Sequence, residues 1–223
     1  LVPGDACVPG HLLQCMQEFQ PHFAISCIGD TFVTSAYVDP LRFFRNNVEA
    51  TYQLLHAAQL CDVARIIYVS STEVYGVSDA AAVAEDAPLN PANTYAVSKL
   101  AADRLCWTLS VETQCPVIIA RLFNCYGPRE THAYIVPEII HQLHQGGDLI
   151  LGNLLAERDF TYVDDSAEAL ISLLLADVVI GEAINIGSGS ACSVATLASE
   201  IASIMRPGGF NLLHDPRLLR RQD

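Results

Sequence analysis

Positive charge is scarce in this sequence. Twelve Lys and Arg stand against 25 Asp and Glu over 223 residues, a formal net charge of -13. Nucleic-acid binding runs on phosphate neutralisation by clustered cations, so no nucleic-acid partner is expected. One small phosphorylated ligand needs only a few local cations and stays open. Also missing is any apolar run of the ~20 residues a bilayer-spanning helix requires, so no membrane partner is expected. The opening LVPGDACVPG has neither the basic stretch nor the apolar core of a secretion signal. The cysteines, at 7, 15, 27, 61, 106, 115, 125 and 192, form no CxxC pair and no ligand-like spacing. They are too sparse for a disulfide scaffold and read as reduced thiols of a cytoplasmic protein. No metal site is expected: His141 and His144 share a helix face, but no third ligand accompanies them. No internal repeat is present.

What is there is apolar. Hydrophobic residues make up 51% of the chain, with 13 Gly and 11 Pro, which excludes disorder and suffices for one large α/β domain or two small ones. Phe23 to Ile28, Arg65 to Ser70 and Pro116 to Leu122 are continuous apolar runs that read as buried strands. Between them, residues 41–60 carry Phe43, Val48, Leu54, Leu55 and Ala58 at helical spacing. Residues 93–113 read as a long helix with Leu100, Leu105 and Leu109 on one face. Buried strands alternating with helices imply a parallel sheet covered on both faces, hence an α/β fold. After Pro128 the texture changes. Helices are expected over 136–145, 164–176 and 193–205, a strand over 183–186 and a turn at Gly146-Gly147. Asp164 and Asp165 suit a helix N-terminus. A boundary is placed near 129, dividing a core over 1–128 from a smaller lobe over 129–223.

Four segments carry candidate chemistry. Tyr95 and Lys99 lie four apart on one helix face, where an ammonium favours the phenolate and lets it take a proton from an alcohol. An exposed i,i+4 pair is the bland alternative. Ser70-Ser71-Thr72-Glu73-Val74-Tyr75-Gly76 leaves the carboxyl end of a strand, where parallel sheets bind ligands. Loop capping would also explain its hydroxyls. Arg121 to Arg129 leaves another strand end, and Arg158 to Asp165 holds an Arg able to grip a phosphate bidentately.

Taken together, the four resemble the extended short-chain dehydrogenase/reductases, the NAD-dependent nucleotide-sugar epimerase/dehydratase family. The resemblance covers nearly the whole chain. It implies a Rossmann-type doubly wound parallel sheet with a smaller C-terminal substrate lobe, NAD as cofactor, a nucleotide-sugar substrate and a homodimer built on helices 41–60 and 93–113, with Phe44 and Trp107 at the seam. Ser71, Tyr95 and Lys99 match the family's catalytic Ser/Thr, Tyr and Lys. Glu73 is matched to acid–base work at C5 of a 4-keto sugar, with a surface carboxylate as the bland reading. Asp5, Ala6, Cys27, Ile28, Gly29, Asn47, Ser70 and Phe123, together with Tyr95 and Lys99, are matched to the cofactor. Thr72, Asn124 and Arg158 are matched to the substrate. Arg217, Arg220 and Arg221 resemble the start of a basic segment over the nucleotide phosphates. Departures stand beside these matches. The family's opening βαβ unit, with its glycine-rich pyrophosphate loop, has no counterpart here, and Ser26-Cys27-Ile28-Gly29 replaces the usual His-Leu-Ala-Ala. A non-catalytic nucleotide-binding or regulatory module of the same fold is the alternative these departures motivate. Gly187-Ser188-Gly189 imitates a dinucleotide fingerprint, but position 192 is Cys, and a turn of the substrate lobe is the expected reading.

Overall fold

The structure, a computed structural model, describes residues 1–78, 80, 82–130, 132–177 and 179–219. In chain order the elements are α1 (His11–Phe19), β1 (Phe23–Ser26), α2 (Val33–Ala36), α3 (Pro40–Phe44), α4 (Ala50–Leu60), β2 (Arg65–Ser71), α5 (Thr94–Thr113) and β3 (Val117–Leu122). They continue with β4 (Asn124–Tyr126), α6 (Ile135–Gln145), β5 (Leu149–Leu151), β6 (Glu157–Tyr162), α7 (Val163–Leu175), β7 (Ala183–Ile186), β8 (Ala191–Ser193), α8 (Val194–Met205) and β9 (Leu212–His214). Arg220 and Arg221 lie outside the described residues.

Contacts divide the chain into two compact units, Leu1–Leu122 with Asp164–Ile186, and Phe123–Val163 with Gly187–Asp223. This differs from a single break near 129. The reason is pairing: β7 hydrogen-bonds to β3 as a parallel strand, which returns residues 164–186 to the first unit.

The first unit is the expected parallel sheet, in the order β1-β2-β3-β7. Alternation along β2 sends Ile66 and Tyr68 to one face and Ile67 to the other. On the first face they meet Met16 of α1, Leu54, Leu55 and Ala58 of α4, and Ala102 and Cys106 of α5. On the second face Ile67, Ile118 and Ala120 meet Leu170 and Leu173 of α7. Each fully buried Ile contributes roughly 1.5–3 kcal/mol of hydrophobic stabilisation. Strand β1 stops at Ser26, two residues short of the apolar run, and Phe23 on it is exposed.

Two helices depart from their sequence reading. The run over 41–60 is broken into α3 and α4 by a π-helical turn, Arg45–Glu49, which apolar spacing does not register. Asp39 and Pro40 start α3, with the Asp39 carboxylate accepting from Arg42 N at 3.3 Å. Helix α5 does not bury a leucine stripe. Its buried face is Tyr95, Ser98, Lys99, Ala102, Asp103, Cys106 and Ser110, while Leu100, Leu105 and Leu109 are half-buried. The polar side chains of the inward face find partners on β2, with Lys99 donating to Val69 O and Asp103 accepting from Ser70 Oγ.

The second unit joins β4 and β6 in parallel, adds β8 antiparallel to β6, and pairs β5 with β9. Its core packs Ile139 and Leu143 of α6, Leu149 and Leu151 of β5, and Val194, Ala198 and Ala202 of α8. Among the described residues no helix is long and apolar enough to cross a membrane.

Candidate active site

Helix α5 begins with Asn93, whose Oδ1 accepts from Ala96 N at 2.8 Å. The same side chain donates through Nδ2 to Glu73 Oε2 at 3.1 Å, which ties the Thr72–Tyr75 turn to the start of the helix. Ser71 closes that turn from the other side, its Oγ accepting from Glu73 N at 3.2 Å. Tyr95 sits in the first turn of α5, 7% exposed, with its ring edge-on to Phe43 at 6.3 Å and packed among Val33, Ala36 and Phe43.

Lys99 follows one helical turn later and is 4% exposed. Its ammonium donates to Val69 O at 2.5 Å and stands 4.6 Å from the Tyr68 ring centroid. No carboxylate oxygen lies within 4.0 Å of it among the described residues. Burial pushes its pKa down to about 8 against the partial support of Cys106, Asp103 and Cys27. Ser71, Glu73, Tyr95 and Lys99 thus belong to one small assembly: the carboxyl end of β2, the turn that follows it and the inward stripe of α5.

Around the end of β1 the chain is locked by Asn47, which is wholly buried. Its Oδ1 accepts from Asp30 N at 2.7 Å, and its Nδ2 donates to Asp30 O at 3.1 Å and Ser98 Oγ at 2.8 Å. Gly29 has φ +142°, and a Cβ there would lie 2.4 Å from Asn47 Oδ1. Cys27 is exposed and Ile28 half-buried beside it. Asp5 takes Cys7 N at 2.8 Å and Arg45 Nη2 at 3.2 Å, organising the turn that includes Ala6. Ser70 is buried, with its hydroxyl given to Asp103 Oδ2 at 2.9 Å.

The remaining candidates fall in the second unit. Phe123 is half-buried, Asn124 is exposed on β4, and Arg158 on β6 donates to Glu157 O at 2.8 Å. Arg217 is engaged by Asp215 at 2.7 Å. The Gly187-Ser188-Gly189 turn is filled from within: Asp159 Oδ1 accepts from Ser188 N at 2.9 Å, and Oδ2 accepts from Gly189 N at 2.8 Å. The Ser188 and Gly189 amides are thus already engaged by a side chain of the same unit. His141 and His144 are exposed on α6, and no cluster of three or more metal-ligating side chains occurs among the described residues.

Sequence reasoning gave no individual role to Asn93, Asp103 or Arg121, although Arg121 opens one of the candidate segments. The last two had a legible signal, an Arg inside the apolar strand VIIARL and an Asp four residues past Lys99 on the same helix face.

Residues 1–187 match the NAD dependent epimerase/dehydratase family. The chain belongs to that family. It is 33% identical over 211 residues to dTDP-D-glucose 4,6-dehydratase of Mus musculus, covering 92% of this chain and 58% of that protein. Among solved structures it is similar to RMD from Pseudomonas aeruginosa complexed with NADPH, at TM-score 0.88 and 30% identity over 97% of this chain and 76% of that one. It is also similar to UDP-glucuronic acid 4-epimerase from Bacillus cereus, solved with UDP-glucuronic acid and NAD, at TM-score 0.85 and 27% identity over 95% of this chain and 67% of that one. The chain spans just under three fifths of the length of the first curated relatives it matches. The fold of the family is the Rossmann type expected from the sequence, and the family is NAD dependent.

Proposed function

We propose that this protein modifies a nucleotide-linked sugar by NAD-dependent chemistry through a 4-keto intermediate. One observation carries the reading: a buried ammonium without a carboxylate partner, one turn past Tyr95, at the carboxyl end of a parallel sheet. A buried cation is costly unless something uses it. Lys99 has three N–H donors, and the residues present fit the nicotinamide ribose of NAD, whose hydroxyls would take up that capacity. The opposite reading, a non-catalytic nucleotide-binding or regulatory module, would use Lys99 for the ribose but leaves Tyr95, one turn before it, without a task.

Bound NAD supplies the hydride acceptor. Tyr95, as phenolate, would take the proton of the sugar C4 hydroxyl, and the C4 hydride would pass to the nicotinamide ring, leaving a ketone. Lys99 holds the ribose and favours the phenolate by its charge. Ser71 hydrogen-bonds the same sugar oxygen. Glu73 handles the C5 proton that the ketone acidifies. Asp5, Ala6, Cys27, Ile28, Gly29, Ser70 and Phe123 border the cofactor, and Asn47 supports them from its buried position. Thr72, Asn124 and Arg158 meet the nucleotide sugar, with Arg158 on its phosphates. Residues 1–128 would chiefly serve the cofactor, and most of 129–223 the substrate.

The proposed compartment is the cytoplasm, which suits eight free cysteines. The proposed assembly is a homodimer on α4 and α5, whose outer faces leave Tyr52, Leu60, Val97, Trp107 and Val111 exposed. Phe44 is exposed at the end of α3, and Arg104 covers the Trp107 ring at 5.6 Å. Light scattering tests the dimer, and a monomer at micromolar concentration rejects it.

The function is tested with a panel of nucleotide sugars and NAD. Epimerised, dehydrated or decarboxylated product identifies the step after the ketone. Tyr95→Phe is expected to lower kcat by roughly 10²–10⁴-fold with NAD affinity retained. Unchanged turnover in that variant rejects the mechanism.

A further inference from the structure

Beneath the Ser70-Ser71 turn lies a buried ion pair that the proposed chemistry leaves without a task. Asp103 is 0% exposed and Arg121 is 1% exposed. The guanidinium meets the carboxylate in a fork, Nε to Oδ2 at 2.9 Å and Nη2 to Oδ1 at 3.1 Å. Asp103 Oδ2 also accepts from Ser70 Oγ at 2.9 Å, and Oδ1 accepts from Arg104 Nη2 at 3.0 Å. Arg121 Nη1 donates to Tyr75 OH at 2.8 Å and to Glu85 O at 3.0 Å. Tyr75 OH passes its own proton to Asn185 Oδ1 at 2.8 Å, and Asn185 N donates to Glu85 Oε1 at 2.9 Å.

Stability alone is a poor account of this arrangement. Desolvating two charges offsets most of their attraction, and well-packed apolar replacements of buried pairs are often as stable or more so. A fork-to-fork pair does something that packed leucine and methionine do not. It fixes the direction of every hydrogen bond it makes. Here those bonds run to both ends of the Ser70–Tyr75 segment and to Glu85 O, and Tyr75 carries the network on to Asn185 of β7. The anchor point on α5 matters equally. Tyr95, Lys99 and Asp103 are spaced by four and share one stripe of the helix. The same helix face therefore presents the proposed base, its ammonium and the tether of the turn that carries Ser71.

We propose that Asp103 and Arg121 are positioning residues, which hold the Ser70–Tyr75 segment in register with the Tyr95–Lys99 stripe of α5. The proposal deepens the catalytic reading of Ser71, Tyr95 and Lys99 and rests on it. Neither residue of the pair touches the reacting atoms in this account.

The test is the double variant Asp103→Leu/Arg121→Met of the whole protein, which removes both charges together. It is expected to melt within a few degrees of the unsubstituted protein. Amide hydrogen exchange over Ser71–Tyr75 is expected to quicken about tenfold or more, with the strand amides of β3 unchanged. With substrate, kcat falls roughly 10- to 100-fold while KM for NAD and for the nucleotide sugar stays within about twofold. Asp103→Glu recovers most of kcat, and Asp103→Asn does not. A folded double variant with unaltered exchange over Ser71–Tyr75 and unaltered kcat overturns the proposal. Should the double variant not fold, Ser70→Ala severs the tether without stranding a charge. Faster exchange in that turn then supports the proposal, and unaltered exchange overturns it. Absence of turnover in the unsubstituted protein strikes the catalytic reading instead, and the exchange measurement still judges the pair.

Discussion

Asn47 Nδ2 donates to Ser98 Oγ at 2.8 Å, which fastens the π-helical turn of Arg45–Glu49 to the helix of Tyr95. Ser98 Oγ passes its proton to Tyr95 O at 2.7 Å, so the contact reaches the backbone of the proposed base. The extra residue in a π turn rotates the side chains that follow it, and here it brings a fully buried amide between β1 and α5. Asn47→Ala removes the acceptor of Asp30 N and one of the two bonds of the buried Ser98 Oγ. The expected loss is roughly 2–4 kcal/mol, read as a lower urea midpoint at unchanged slope. A loss under about 0.5 kcal/mol would contradict the burial of this network.

Gly29 is the partner of that amide. Its φ of +142° is rarely adopted by L side chains, and an added Cβ would lie 2.4 Å from Asn47 Oδ1. Gly29→Ala is therefore expected to destabilise by roughly 1–3 kcal/mol. Combined with Asn47→Ala, which removes the clash, the cost should be less than the sum of the two. Strict additivity in the cycle would refute the close approach.

Much of this architecture is legible in the sequence, and the illegible parts share a cause. Runs such as RIIYVS and PVIIARL are buried on both faces, so composition alone marks them as strands. Helix α5 is located correctly, but its leucines do not mark the inward face, because Tyr95, Lys99 and Asp103 do. Hydrophobic periodicity fails where a helix turns polar side chains inward. Asn93, Asp103 and Arg121 escaped for a related reason: each acts through a partner distant in sequence, Glu73, Ser70 or Tyr75. The π turn is invisible because the apolar positions flanking it, Phe43 and Leu54, keep a plausible helical spacing.

Lys99 makes stability depend on pH. Burial lowers its pKa from 10.5 to about 8, so between those values the unfolded chain holds a proton that the folded chain has released. The penalty is full at neutral pH and is relieved as pH rises from about 8 to about 10.5. Lys99→Met removes it throughout. The variant is expected to melt above the unsubstituted protein near about pH 7, with the gap closing by about pH 10. Burial pushes the thiols of Cys106 and Cys115 up, the latter to about 11, and this opposes the trend above the usual thiol range. Cys115 is shifted by burial alone and cancels in the difference, whereas Cys106 loses the lowering influence of Lys99 in the variant, so the comparison is read below the usual thiol range. A gap constant with pH would show that the amine is hydrated.

Arg65 caps a helix that lies far from it in sequence. Its Nη1 donates to Leu173 O at 3.2 Å, to Leu174 O at 3.1 Å and to Ala176 O, where the carbonyls ending α7 would otherwise lack partners. Arg65→Met is expected to cost roughly 1–2 kcal/mol and to raise amide exchange in the last turn of α7 while β2 stays protected. Equal exchange in both proteins would show that water replaces the guanidinium there.

The turn at Gly187-Ser188-Gly189 carries one more consequence. Its amides converge on the Asp159 carboxylate, at 2.9 Å from Ser188 N and 2.8 Å from Gly189 N. It is in effect a small anion receptor whose guest is covalently attached, and an internal guest has an effective concentration that a dissolved phosphate cannot match. Shortening that one side chain would vacate the receptor and turn a silent loop into one that competes for anions from solution.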